Sequence, residues 1–222
     1  AGPEVVLLCI RLWASLSPAA RAKCDVLPEV DDDDAPAAAV KPAKGKKSSA
    51  KAGKNAKATE AAAAKRWAAV FRKSHLEKIR DALMESSHSH PQVHTVWGEL
   101  IEGAKGVPGA LEALWDVEVE NGLMISGSHQ RRFLGFRLFA ALLPEAEAEG
   151  VPALFSDGFT RCLLNNLNKP DNYLHAAAAD CLDQIVSYAK ADDTPSDVKL
   201  SIVAALQRLG PNRFDKISKK GA

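Results

Sequence analysis

Apolar side chains recur at three- and four-residue steps through nearly all of the chain outside residues 25–58, and that spacing restricts the fold to packed helices. Leu174, Ala177, Ala178, Cys181, Leu182, Ile185, Val186 and Ala189 form the longest unbroken stripe. Phe133, Phe136, Leu138, Phe139, Leu142 and Leu143 form a broader one, which predicts burial on more than one side. Val93, Val96, Trp97, Leu100 and Ile101 make another, stopped near Gly103 and Gly106. Leu111, Leu114, Trp115 and Val119 follow, with Asn121-Gly122 as the expected helix end. Phe155, Phe159, Cys162, Leu163 and Leu167 mark a further helix. Thr194 as cap with Pro195 at the first helical position starts the last, carried by Val198, Ile202, Leu206 and Leu209. No segment alternates with period two for long enough to make a strand.

Two earlier helices complete the series. Val5, Leu8, Leu12, Trp13 and Leu16 predict a short amphipathic helix that ends near Pro18. Thr59 is the expected cap of a long helix through Trp67, Val70, Phe71, Leu76, Ile79 and Leu83, with a break in period near Ser74. Ser86 to Pro91 is a polar interruption. About seven or eight helices with short connections describe an all-α bundle or an α-solenoid, and helix pairs spaced roughly forty residues apart suit armadillo or HEAT units. The composition agrees, because only 6% of residues are aromatic and Ala, Leu and Val supply most of the apolar side chains.

Between Asp25 and Ala58 the pattern vanishes, and almost no large apolar side chain remains to offset the entropy of ordering that stretch. The expected organisation is therefore a first helix over residues 1–24, a disordered acidic then Lys-rich linker over 25–58, and an α-helical repeat domain over 59–222. The net charge of +1 hides opposed blocks. Of the 29 basic residues, seven lie within 41–57 with no acid among them, leaving 22 against 28 acidic residues elsewhere. Glu29 and Asp31 to Asp34 account for most of that excess, so the helical part is near neutral. Cys9, Cys24, Cys162 and Cys181 contain no CxxC pair, which fits a reducing compartment. The apolar stretch Val5–Ile10 is too short to span a bilayer. A start at Ala1, with a helix only a few residues on, suggests a piece of a longer protein.

The side chains that could carry chemistry do not assemble into a site. Asp31 to Asp34 lie in low-complexity sequence, whereas two-metal catalysis needs carboxylates fixed by a rigid scaffold. His88, His90 and His94 offer ligands with no cysteine near, so no metal is expected. Ser128 and His129 are adjacent and lack a nucleophile elbow; Ser128 is expected to cap a helix. Gly103, Gly106 and Gly109 lack a phosphate-loop lysine and hydroxyl. No catalytic residue, cofactor or small-molecule substrate is expected. Arg131, Arg132 and Arg137 could hold phosphate or pair with acids, Glu118 and Glu120 being near in sequence.

Lys41, Lys44, Lys46, Lys47, Lys51, Lys54 and Lys57 form a basic tract without aromatics. It can serve nuclear import or neutralise nucleic-acid phosphates non-specifically, but it has no stacking platform for single-strand readout. A solvated linker without a partner is the plainer reading.

The segment from Ser128 to Pro144 reads Ser-His-Gln-Arg-Arg-Phe-Leu-Gly-Phe-Arg-Leu-Phe-Ala-Ala-Leu-Leu-Pro. It resembles the hallmark segment of the Myb-binding protein 1A family, whose fungal members are called DNA polymerase V or DNA polymerase phi. Ordered matches flank it: His90-Pro91 and Val96-Trp97 before, then Leu154-Phe155, Phe159, Arg161-Cys162-Leu163, Asn165 and Lys169 to Ala177 after. The likeness covers residues 75–186, with Ser128, His129, Arg131, Arg132, Gly135, Phe136, Arg161 and Asn165 as motif residues. The Lys-rich insertion departs from the family pattern.

The resemblance implies an armadillo-like fold and residence in the nucleus and nucleolus. It also implies work in ribosomal RNA production, ribosome assembly and transcriptional regulation through protein partners, such as pre-ribosomal particles or transcription factors. The alternatives are the polymerase activity in the family's name, or a DNA-binding regulator acting through the lysine tract.

Overall fold

The computed structural model describes residues 2–15, 67–89, 91–125 and 127–208. The lysine tract, the aspartate run, His90 and the Thr59 cap lie outside them. Every regular element among the described residues is helical. The order is α1 (Pro3–Ser15), α2 (Lys73–Glu85), α3 (Thr95–Ala104), α4 (Ala110–Leu114), α5 (His129–Leu142), α6 (Val151–Leu154), α7 (Asp157–Leu167), α8 (His175–Lys190) and α9 (Ser196–Gln207). Residues 67–70 are also helical, and the backbone breaks at 71–72 before α2, close to the interruption in period near Ser74. No helix among the described residues is long and apolar enough to cross a membrane.

Local chemistry explains most boundaries. His94 caps α3, its Nδ1 accepting from the Val96 N–H at 3.1 Å. Its other ring nitrogen lies 3.5 Å from Glu4 of α1. The indole of Trp97 donates to Ser86 Oγ at 2.8 Å, and that hydroxyl donates to Leu83 O, which ties α3 to the end of α2. Thr194 closes the turn after α8 by donating to Tyr188 O at 2.7 Å. It does not cap α9: Pro195 occupies the N-cap position and Ser196 begins the helix.

Two further expectations give way. In α1 the buried aliphatic residues are Val6 and Ile10, while Val5, Leu8 and Leu12 are 50–57% exposed, so these three residues of the predicted stripe face outward. The helix is apolar on both sides, and periodicity cannot tell which side meets α2 and α3. Asn121-Gly122 does not end a helix. After α4 the backbone widens from α to π geometry and runs on from Trp115 to Ile125. Asn121 Nδ2 donates back to Asp116 O at 2.6 Å. A Cβ at Gly122 would sit 2.7 Å from Met84 Cε, so this glycine serves close packing on α2.

This π-helix is the hub of the core. It packs against α2 on one side and α5, α6 and α7 on others. Trp115, Phe136, Phe139 and Phe159 are almost wholly buried around it. Phe139 and Phe159 stack at 4.1 Å between centroids, and Trp115 meets both edge-on at 5.6 and 5.4 Å. Cys162 and Cys181 are buried free thiols, as their apolar settings predict. Burial pushes the Cys181 thiol up to about 12.

Candidate functional site

Ser128 has extended backbone angles, and its Oγ accepts from Arg131 N at 3.4 Å, so it caps α5 as expected. The motif residues after it then divide by role. Gly135 and Phe136 are core: a Cβ on Gly135 would lie 2.3 Å from Met124 Sδ, and the Phe136 ring meets Phe159 edge-on. Arg132 Nε donates to Met124 O at 3.3 Å near the end of the π-helix, where carbonyls lack partners and a cation is favoured. Arg137 lies 3.5 Å from Asp180 of α8.

Glu118 and Glu120 pair with none of these arginines, contrary to the reading from their nearness in sequence. Both are buried, and being two positions apart they point to opposite sides of the π-helix. Glu120 meets the start of α7: its carboxylate accepts from Ser156 Oγ at 2.5 Å, Gly158 N at 2.6 Å and Phe159 N at 3.0 Å. It thus caps α7 from another helix, satisfying N–H groups that α7 cannot satisfy itself. Ser156 also accepts from the Trp115 indole at 3.1 Å, which joins the cap to the aromatic core. Gly158 permits this approach, since a Cβ there would lie 2.5 Å from Glu120 Oε1. Glu118 faces α2 and has no hydrogen-bond partner on either oxygen.

His129, Arg131, Arg161 and Asn165 do not converge on one point. His129 lies against Tyr173, centroids 5.4 Å apart, and Tyr173 is 71% exposed. Arg161 and Asn165 share the exposed side of α7 one turn apart. The α7–α8 turn is held by amides: Asn172 Nδ2 donates to Asn165 O at 3.3 Å, and the His175 ring meets Asn166 O at 2.9 Å. Between α5 and α8 runs a groove of about 220 Å³ lined by Phe133, Phe136, Arg137, Ala176, Ala177, Asp180 and Cys181. Its walls are mostly apolar, with one ion pair between Arg137 and Asp180.

The Ser156 hydroxyl that donates to the Glu120 carboxylate belongs to the α7 cap and also accepts from the Trp115 indole. Among the described residues no group of three or more His, Cys, Asp and Glu side chains could hold a metal ion. Asp116 is exposed and bonded to Asn121, on a different side from the buried Glu118. The burial of the two glutamates and the contact of Tyr173 with His129 escaped the sequence reading. The Val117-Glu118-Val119-Glu120 alternation was the available signal that this helix is not an ordinary surface one.

Comparison with known proteins agrees with the motif. The chain is 29% identical over 105 residues to the rDNA transcriptional regulator pol5 of Schizosaccharomyces pombe (strain 972 / ATCC 24843). That stretch is 47% of this chain and only 11% of the relative, so the matched region spans about a tenth of that protein's length. No solved structure matches the chain. The profile of the DNA polymerase phi family matches residues 50–221, from within the lysine tract to beyond the last described helix, and the chain belongs to that family.

Proposed function

We propose that the chain is part of an armadillo- or HEAT-like helical scaffold that works in the nucleolus in rDNA transcription and ribosome biogenesis, by holding protein partners and not by catalysis. Membership of the family and a relative named as an rDNA transcriptional regulator carry this reading. The described geometry is compatible with it: helices packed around one core, side chains engaged in packing and capping, and an open groove between α5 and α8. Partners are pre-ribosomal particles or transcription factors, and the groove is where their apolar side chains fit best.

Depletion of the protein should lower pre-ribosomal RNA synthesis or delay its processing, measured by pulse labelling. Normal labelling in depleted cells would sink the proposal. The lysine residues from Lys41 to Lys57 add a nuclear address or phosphate contacts. Deleting them should mislocalise the protein if they serve import. It should instead remove salt-dependent RNA or DNA binding if they contact phosphates.

A further inference from the structure

Glu118 is fully buried, and neither carboxylate oxygen has a hydrogen-bond partner. Across the interface, on α2, the Nε of Arg80 is also buried without a partner. The arginine stem lies along the π-helix near Gly122, 3.9 Å from where a Cβ would stand, yet its guanidinium forms no ion pair with Glu118. Two complementary groups thus face each other across one helix interface without closing on each other. The contact surrounding them is extensive, and Met84 of α2 packs at Gly122 of this helix.

We propose that the interface between α2 and the π-helix is a proton-operated latch: neutral Glu118 lets α2 stay docked, and charged Glu118 drives α2 to open. The step is a simple ionisation in which the carboxyl O–H bond breaks and the proton goes to water. In the docked form no donor reaches the carboxylate, Arg80 Nε included, so a charged Glu118 is stranded in a dry interface and reaches water by displacing α2. Burial pushes the Glu118 carboxyl up to about 8. Arg80 opposes that rise, and Glu77 and Asp81, also on α2, add to it. No charged group of α4, α5, α6 or α7 acts on Glu118 appreciably.

The docked form therefore holds its proton to higher pH than the open form, and docking is strongest at low pH. Opening rises with pH from the ordinary glutamate value and levels off above about 8. Between pH 6 and pH 8 the opening equilibrium increases about fifty-fold on these two values.

Hydrogen exchange of the 222-residue chain, corrected for the intrinsic pH dependence of amide exchange, reads this directly. The amides of α2 should lose about fifty-fold in protection from pH 6 to pH 8 while those of α8 hold theirs. Glu118→Gln should abolish the α2 loss and Glu120→Gln should leave it in place. If Glu118→Gln does not fold, Glu118→Met supplies the neutral variant. Equal pH dependence of α2 and α8 in the wild type, or an α2 loss that persists in the neutral variant, would overturn the proposal.

Discussion

Glu118 and Glu120 are the same residue type on the same π-helix, two positions apart, both buried, and their surroundings are opposite. Glu120 meets the start of α7 end-on, where unpaired N–H groups and the helix dipole welcome a negative charge. Glu118 meets the flank of α2, where backbone donors are already used inside the helix. Whether a carboxylate can be buried at low cost depends on which part of the neighbouring helix faces it. The α7 side is locked by charge-assisted bonds and an aromatic cluster, and the α2 side rests on apolar packing with an uncompensated acid inside.

The largest test of this asymmetry removes the aromatic lock. Phe159→Ala should destabilise the chain by about 4 kcal/mol in denaturant unfolding, since the ring is fully buried against Trp115, Phe136, Phe139 and Phe155. A loss below about 1 kcal/mol would mean that the α7 side is not tightly packed.

Glu118→Gln acts with the opposite sign. The folded-state value is raised, so the native form binds more protons than the unfolded chain, and wild-type stability falls as pH rises from about 4.5 to about 8. The variant should lack that fall and should be about 3 kcal/mol more stable than wild type at pH 8 when the two are matched at pH 5. Parallel stability curves for the two proteins would break the comparison. Glu120→Ala should cost about 2–3 kcal/mol at neutral pH by leaving Gly158 and Phe159 N–H groups unpaired, with the loss localised to α7 by hydrogen exchange.

Gly122→Ala is the mildest of the set. The new methyl would press on Met84 of α2, a flexible side chain that can shift, so about 1 kcal/mol is expected from thermal unfolding. A much larger loss would mean that the α2 interface is as rigid as the α7 interface.

Much of this architecture is written in the periodicity. The stripes of α3, α5, α7 and α8 place those helices within a residue or two, because each is a continuous run at helical spacing, with end signals such as Ser128 and Pro144 around α5. The orientation of α1 is not legible, since Val5 and Leu8 outside and Val6 and Ile10 inside look alike in a hydropathy pattern. The π-helix is not legible either. No residue type distinguishes an i→i+5 hydrogen-bond ladder from the ordinary helical one, and Asn121-Gly122 carries turn chemistry while serving packing.

The candidate site is legible only in part. The Ser128 cap follows from residue type at a helix start, as does the core role of Phe136. The Arg132 contact with Met124 O, the His129–Tyr173 pair and the Glu120 cap join residues far apart along the chain or across a turn. No local pattern specifies them, and a buried glutamate has the same letter as a solvated one.

The asymmetry of the π-helix is tested most directly by following the Glu118 side-chain carboxyl carbon by NMR as pH is varied. A midpoint near 8 is expected, from burial without a hydrogen-bond donor. A midpoint at the ordinary glutamate value near 4.5 would mean that Glu118 is solvated or paired, and would contradict the account.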